Sequence, residues 1–322
     1  MNLSAISTLL AAPMQKVNDL IHTALRSNVA LIQQLGWYIT QNGGKRIRPM
    51  LSLLMAQAHG YQGDQHIRLG AIVELIHTST LLHDDVVDTA NMRRGQPTAN
   101  IEFGNSASVL VGDFMYSRAF QLITELNDLT MIKILADTTN ILAEGEVLQL
   151  THTHNASTTE AAYRHTIYCK TASLFEAIAQ LGGLLNQCSA DQQQACQTYG
   201  RHLGMAFQIV DDVLDYTAAT ETLGKNIGAD LAEGKMTMPL IYAMQAASPS
   251  EKRVLTDMIE SGQCHEVETV QRLLIKSGAL AYTQAQAEQE INLATAALHD
   301  LPESVAKEAL IGLAYSCLAR QH

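Results

Sequence analysis

Two short acidic motifs hold the residues of this sequence that are best suited to chemistry. Both have the pattern Asp-Asp-x-x-Asp, and their carboxylates are Asp84, Asp85, Asp88, Asp211, Asp212 and Asp215. In a helix, the first and last carboxylates of each motif lie one turn apart on one face, where they repel each other. Hard carboxylate oxygens suit Mg²⁺, which keeps several waters and accepts oxygens from a phosphate ligand. The motifs therefore predict magnesium sites for a phosphate-bearing substrate.

A solvated helix face is the alternative interpretation of an acidic pair at this spacing. Apolar residues flank both motifs, however, namely Leu81-Leu82 and Val86-Val87 in the first and Ile209-Val210 and Val213-Leu214 in the second. Two copies of one apolar and acidic pattern are hard to explain as surface, so we favour metal binding.

Composition limits the class of protein. The chain has 322 residues, 47% of them hydrophobic and 16% charged, which is enough to bury a large core. A formal net charge of −11 argues against a general nucleic-acid binder, which needs a basic surface. It leaves an anionic substrate possible, because a local basic cluster with a metal can override the overall sign.

Cysteine usage and the apolar runs predict a cytoplasmic protein. The five cysteines are scattered without a C-x-x-C pair, which indicates free thiols in a reducing compartment. The first residues lack the basic start and apolar run of a signal peptide. The sequence contains no run of 18 or more apolar residues, so no transmembrane segment is predicted.

Helical periodicity is nearly continuous along the chain, which predicts an all-α fold. Residues 65–88 and 192–217 are predicted as the helices that carry the two acidic motifs. Residues 103–126, 129–150 and 158–185 are predicted as further core helices. We expect residues 1–322 to form a single domain.

Four basic clusters lie between these helices or within them. Their members are Lys45, Arg46 and Arg48 before a helix, Arg93 and Arg94 after the first motif, Lys170 beside Thr171, and Lys225 and Lys235 in a glycine-rich loop. Cations beside a helix N-terminus favour anion binding, and paired arginines suit a diphosphate. Each cluster has an alternative interpretation. The first can be a solvated basic turn, the two arginines can pair with the nearby acids, and Lys170 can extend its charged end to water.

Six elements in chain order together resemble the trans-isoprenyl (polyprenyl) diphosphate synthase family. They are Gly43-Gly44-Lys45-Arg46-x-Arg48-Pro49, the first acidic motif followed by Arg93-Arg94-Gly95, Lys170-Thr171, Gln208, the second acidic motif and Gly234-Lys235-x-Thr237-x-Pro239. The resemblance covers residues 43–239. The stretches Leu110–Phe114 and Ala143–Leu150 resemble its octaprenyl-forming members.

This resemblance implies an all-α bundle of the isoprenoid synthase type, with the two acidic helices facing each other across a central cavity in a homodimer. It implies that an allylic diphosphate, expected to be farnesyl diphosphate, condenses with successive isopentenyl diphosphates. The expected product is a long-chain all-trans polyprenyl diphosphate, octaprenyl, which is destined for a membrane as a quinone side chain. Mg²⁺ is the expected cofactor.

The resemblance also implies a role for each matching residue. Metal ligands are Asp84, Asp88 and Asp211, supported by Asp85, Asp212 and Asp215. The allylic diphosphate is expected to contact Arg93, Lys170, Thr171, Gln208, Lys225 and Lys235. Isopentenyl diphosphate is expected to contact Lys45, Arg48, His77 and Arg94.

Product length is expected to depend on the residues below the first acidic motif. Ser79 and Thr80 precede Asp84 by about one helical turn, and their small side chains leave room for a growing chain. Ile76 lies about one further turn down and is medium-sized, so the floor of this space is expected from the neighbouring helix, with Leu122, Ile123 and Phe120 as candidates. Ordinary small residues that ease helix packing are the alternative.

Three other functions remain open at this point. A synthase of shorter products shares all of these motifs. A terpene cyclase uses a similar first motif but normally carries a different second one. A non-catalytic subunit of a heteromeric synthase tends to lose its acidic motifs, whereas both are intact here.

Overall fold

A computed structural model describes residues 1–41, 44–217, 228–262 and 267–319. The chain divides into two compact units. The first unit comprises Met1–Asp137, Phe175–Gln197 and Ala297–Leu313. The second unit comprises Thr138–Leu174, Thr198–Ala296 and Ala314–His322. Gly43 and Lys225, which the sequence predictions include, and Cys264, one of the five cysteines, lie outside the described residues.

Helices make up most of the described chain. The first nine are α1 (Leu3–Leu9), α2 (Ala11–Ala24), α3 (Ala30–Gln41), α4 (Ile47–Ala58), α5 (Gln65–Val87), α6 (Ala99–Phe103), α7 (Asn105–Thr124), α8 (Leu129–His152) and α9 (Glu160–Ile167). The others are α10 (Ser173–Leu184), α11 (Ala190–Thr217), α12 (Ala229–Ala232), α13 (Met238–Ala246), α14 (Pro249–Ser261), α15 (Val267–Ser277), α16 (Ala279–Ala297) and α17 (Val305–Leu318).

Two local features depart from regular helix. The loop after the first acidic motif contains a small hairpin, in which β1 (Met92–Arg93) pairs antiparallel with β2 (Gln96–Pro97). Between α9 and α10, residues Tyr168–Ala172 form a π-helical turn. Such turns insert one extra residue and often lie at functional sites.

Local sequence signals explain where several helices begin and end. The side chains of Asn2 and Thr159 accept hydrogen bonds from backbone N–H groups in the first turns of α1 and α9. Ser248 and Glu251 form a reciprocal capping box at the start of α14. Gly262, at a φ of 64°, ends that helix in the left-handed conformation that glycine adopts without strain.

Each unit has an apolar core around its acidic helix. In the first unit, α5 is buried along most of its length, and Leu69, Ile72 and Leu75 are fully inaccessible. In the second unit, Ile209, Val210 and Leu214 of α11 belong to a cluster with residues of α13 to α16. A buried side chain of this size contributes about 1.5–3 kcal/mol, so burial holds the acidic helices despite their repelling carboxylates.

The predicted all-α fold is confirmed, with strand in the described residues confined to the short hairpin. The central cavity and the single domain stay predictions. No helix among the described residues is long and apolar enough to cross a membrane.

Candidate active site

The first acidic motif lies at the C-terminal end of α5 in the first unit. Asp84 and Asp88 are half-buried, and Asp85 is fully buried. Arg93 donates from Nε and Nη2 to Oδ1 of Asp85, at 2.9 and 2.7 Å. Oδ2 of Asp85 is buried with no hydrogen-bond partner. An unused acceptor beside two accessible carboxylates fits a magnesium ion that retains its waters.

The second acidic motif lies near the end of α11 in the second unit. Asp211 is exposed, whereas Asp212 and Asp215 are buried. The Tyr163 hydroxyl donates to Oδ2 of Asp212 at 2.5 Å, and Nε2 of Gln208 donates to Oδ1 at 2.9 Å. In both motifs the predicted metal ligands are therefore more accessible than the predicted supporting carboxylates.

Burial and charge shift the pKa values of this second group. Burial, followed by the charge of Asp230, raises the pKa of Asp212 well above its usual range. Burial and then Asp212 raise the pKa of Tyr163 well above 10.0. Tyr163 thus stays protonated and can donate its hydrogen bond at neutral pH.

A basic cleft in the first unit brings together two residues predicted to bind isopentenyl diphosphate, His77 and Arg94, and one predicted to bind the allylic diphosphate, Arg93. His77, Arg93 and Arg94 line this cleft. Nη1 of Arg48 lies 3.1 Å from Nε2 of His77, and its guanidinium stacks over the Phe175 ring at 4.7 Å. These fixed guanidinium groups suit recognition of a diphosphate.

Arg46 and Lys45 are neighbours in one basic cluster, but the structure places their side chains in different environments. Arg46, which has a left-handed φ of 51°, forms an ion pair with the buried Glu74 and donates to the Thr40 carbonyl at 3.0 Å. Arg46 therefore neutralises a core carboxylate. Lys45 is exposed on the turn before α4 and stays a predicted ligand of isopentenyl diphosphate.

His77 makes stability pH-dependent. Burial, followed by the charges of Arg48 and Arg94, lowers its pKa well below 6.5. Below pH 6.5 the unfolded state binds the proton that folded His77 refuses, so the free energy of unfolding decreases as pH falls. We expect a loss of up to about 1.4 kcal/mol per pH unit in urea unfolding between pH 6.5 and pH 5. His77→Asn should flatten the dependence of the free energy of unfolding on pH. His299→Asn, at a site 87% exposed, is the control and should leave it unchanged. The same pH dependence in both variants would contradict the assignment to His77.

The π-helical turn presents Lys170 and Thr171 of the second unit. Nζ of Lys170 lies 2.7 Å from Oε2 of Glu146 on α8. The Thr171 hydroxyl donates to Oε1 of Gln208 at 3.0 Å, and Gln208 in turn holds Asp212. The turn thereby links predicted diphosphate ligands to the second acidic motif.

Gly145 of α8 makes room for this turn. A Cβ on Gly145 would lie 2.6 Å from Cβ of Cys169 and 2.9 Å from the backbone nitrogen of Lys170. Helix propensity alone predicts that Gly145→Ala stabilises α8 by about 1 kcal/mol. We expect instead a loss of about 1–3 kcal/mol in urea unfolding, because backbone must move. Val147→Ala, at a site 62% exposed on the same helix, is the control, and a more stable alanine variant at Gly145 would refute this packing.

Lys235 lies in the loop between α12 and α13. Its Nζ donates to Oε2 of Glu233 at 2.6 Å, and its backbone N–H donates to the Asp230 carbonyl at 2.8 Å. The backbone N–H of Asp230 lies 3.3 Å from Oδ2 of Asp215. The loop is thus attached to the second acidic motif.

The predicted chain-length residues lie in the first unit. Ser79 is buried and its hydroxyl donates to the Gly112 carbonyl of α7 at 2.8 Å. Thr80 is half-buried and donates to the His77 carbonyl at 2.9 Å. Ile76 and Ile123 are fully buried, whereas Leu122 is half-buried. Their effect on product length stays a prediction.

Several residues of these sites escape sequence reasoning. Tyr163 has no motif of its own, and Gly145 and Glu146 lie in the stretch Ala143–Leu150, whose resemblance assigns them no role. Their roles depend on contacts with residues elsewhere in the chain. Tyr163 alone gives a weak sequence signal. A tyrosine in a core helix usually needs a hydrogen-bond partner for its hydroxyl, although the sequence does not identify that partner.

Each unit of this all-α fold has a helix that carries carboxylates, and arginines and lysines lie close to both helices. These features indicate an enzyme that acts on diphosphates. The polyprenyl synthetase family model matches residues 29–275. Octaprenyl diphosphate synthase of Escherichia coli (strain K12) is 50% identical over 321 residues, which cover 99% of each chain. Octaprenyl diphosphate synthase of Haemophilus influenzae is 49% identical, over 100% of this chain and 98% of that protein.

A solved structure supports the same family. The polyprenyl synthase of Caulobacter crescentus CB15, complexed with calcium and isoprenyl diphosphate, is 40% identical and superposes with a TM-score of 0.96. The match covers 100% of this chain and 98% of that one. The chain belongs to the polyprenyl synthetase family.

Proposed function

We propose that this chain is a trans-prenyltransferase that extends an allylic diphosphate with successive isopentenyl diphosphates to octaprenyl diphosphate. The observation that carries the proposal is the split within each acidic motif between accessible carboxylates and buried, hydrogen-bonded ones. Half the residues are shared with octaprenyl diphosphate synthases over the full length, which supports the product length. Farnesyl diphosphate is the proposed starter and a quinone side chain the proposed destination.

The reaction begins when the allylic carbon–oxygen bond breaks and the diphosphate leaves with the electron pair. Lys170, Thr171 and Lys235 donate to this diphosphate, and Gln208 orients Thr171. Donors that are fixed before the reaction stabilise the charge that develops on the leaving group. Arg93, which is held by Asp85, contributes a further guanidinium, and Lys225 is a proposed ligand outside the described residues.

The second substrate is held by the basic cleft. Lys45, Arg48, His77 and Arg94 bind the diphosphate of isopentenyl diphosphate, with neutral His77 accepting from Arg48. The double bond of this substrate attacks the allylic cation, and one proton is then lost to the departed diphosphate. An apolar cavity excludes the water that would otherwise quench the cation.

Magnesium fits the donor set of both motifs. Asp84, Asp88 and Asp211 would hold it, with Asp85, Asp212 and Asp215 in support. When bound, Mg²⁺ neutralises charge on the leaving diphosphate. All-oxygen donors that leave room for waters and phosphate oxygens favour Mg²⁺ over a softer metal.

A homodimer is the proposed assembly. Ile101, Val109 and Leu110 of α6 and α7 are 54, 37 and 67% exposed, an apolar surface that suits a second copy. We expect Leu110→Asp to convert a dimer to a monomer in light scattering at micromolar concentration. Leu129→Asp, at a site 82% exposed, is the control. An unchanged mass for Leu110→Asp would reject this surface.

We also propose that the whole chain works as one domain in the cytoplasm. Among the described cysteines, Cys169, Cys188 and Cys196 are free thiols, which supports a reducing compartment.

The test of function is incubation of the purified chain with farnesyl diphosphate, radiolabelled isopentenyl diphosphate and Mg²⁺, followed by sizing of the products. Octaprenyl diphosphate is the expected main product. A main product of four isoprene units would indicate a shorter-chain synthase. Farnesyl diphosphate consumed without isopentenyl diphosphate would indicate a cyclase, and no consumption of either would indicate a non-catalytic subunit.

A further inference from the structure

His154 occupies an unusual position in the second unit. It lies in the turn between α8 and α9, with a φ of 59°. Left-handed backbone is uncommon outside glycine and persists only where the surroundings hold it. Such positions concentrate at functional sites, so the contacts of His154 matter.

Two hydrogen bonds attach His154 to distant segments. Its backbone N–H donates to the Gly234 carbonyl at 2.8 Å. Its Nδ1 lies 2.9 Å from the carbonyl of Ile259 near the end of α14. Because a carbonyl only accepts, Nδ1 carries the hydrogen in this contact. One residue thus joins the Lys235 loop to α14.

The imidazole ring is also packed against two glycines. A Cβ on Gly234 would lie 2.3 Å from Nδ1 of His154, and one on Gly262 would lie 3.0 Å from Cε1. Both glycines have positive φ, of 71° and 64°. A Cβ at Gly234 would clash with the ring, so the ring packs directly against the backbone there and restricts its path.

The other end of this loop is attached to the second acidic helix. The Gly228 N–H donates to the Asp215 carbonyl at 2.9 Å, and the Asp230 N–H lies 3.3 Å from Oδ2 of Asp215. The loop that carries Lys235 is therefore held by Asp215 at its start and by His154 at its end.

We propose that His154 is a positioning residue for Lys235, and that it sets the affinity for the allylic diphosphate by holding Gly234. This inference rests on the proposed function, in which Lys235 contacts that diphosphate. In this role His154 acts through the loop and not by contact with the substrate. His154 therefore affects the affinity for the allylic diphosphate and not the affinity for isopentenyl diphosphate.

Steady-state kinetics of three variants test the role. His154→Gly keeps the left-handed backbone and removes the ring, and we expect KM for farnesyl diphosphate to rise about tenfold, the worth of one lost hydrogen bond. KM for isopentenyl diphosphate should not change. His154→Asn tolerates positive φ and places an amide donor near the position of Nδ1, so it should stay within about twofold of wild type. His154→Gln, whose donor lies one bond further out, should fall between them and serves if the glycine variant does not fold.

Hydrogen exchange supplies a readout that is independent of activity. In the His154→Gly variant, the amides of Gly234 and Lys235 should exchange faster than in wild type, whereas His299→Ala should leave them unchanged. Unchanged exchange together with an unchanged KM in a folded His154→Gly variant would overturn the proposal. If the wild type transfers no prenyl groups, the proposed function fails, and the exchange result alone then decides whether His154 holds the loop.

Discussion

Replacing Asp84 with asparagine is expected to lower kcat about 10²–10³-fold, the usual effect of removing one preorganised electrostatic group. Asparagine keeps the size of the side chain and removes its charge. Asp84 is one of the accessible carboxylates of the first motif, whereas its neighbour Asp85 is already paired with Arg93. Diphosphate release at saturating substrates and Mg²⁺ measures kcat directly.

The control for this change is Asp137→Asn on α8. Asp137 is 60% exposed and forms a surface ion pair with Lys133 at 2.6 Å, which contributes little to stability. Its variant should retain wild-type kcat. An Asp84→Asn enzyme with more than half of the wild-type kcat would remove Asp84 from the proposed metal ligands.

Replacing Ser79 with phenylalanine is expected to shift the main product to a shorter polyprenyl diphosphate. Ser79 lies about one turn before Asp84 and is buried where α5 contacts α7. An aromatic ring there fills space that a growing chain needs. It also overpacks the contact between helices, so we expect a stability loss of about 1–3 kcal/mol as well.

Chromatography of the products distinguishes these two effects. Ser79→Ala loses only the hydrogen bond to Gly112 and should make products of wild-type length. The phenylalanine variant should make shorter products even at a temperature where it is fully folded. Wild-type products formed at a reduced rate would show that Ser79 serves helix packing alone.

The helices that carry the acidic motifs could be predicted closely from the sequence. The sequence predicts residues 65–88 for α5, which spans Gln65–Val87, and residues 192–217 for α11, which spans Ala190–Thr217. A long, largely apolar stretch without strand-like alternation identifies α5, and sustained apolar periodicity identifies α11. The π-helical turn at Tyr168–Ala172 could not be predicted, because one inserted residue leaves the apolar pattern almost unchanged and the space for it comes from Gly145 on α8. The hairpin after the first motif is similarly too short to give a pattern.

For the candidate site, residue types indicate the chemistry and only contacts assign the roles. Arg46 and Arg48 are two positions apart in one basic cluster, yet in the structure Arg46 pairs with Glu74 whereas Arg48 lies beside His77. Likewise Asp211 and Asp212 are adjacent, yet one is exposed and the other holds Tyr163. Helix geometry separates neighbours by about 100°, so adjacent residues meet different environments.

The central claim is that both acidic motifs act on one allylic diphosphate. Calorimetric titration with an unreactive thiolo analogue of farnesyl diphosphate tests it, in the presence and absence of Mg²⁺, for wild type, Asp84→Asn, Asp211→Asn and the double variant. We predict one magnesium-dependent site per chain, weakened more than about tenfold by either substitution and hardly further by both, because groups that act as a unit are not additive. Two separate binding events, or losses that add as for independent sites, would contradict the claim.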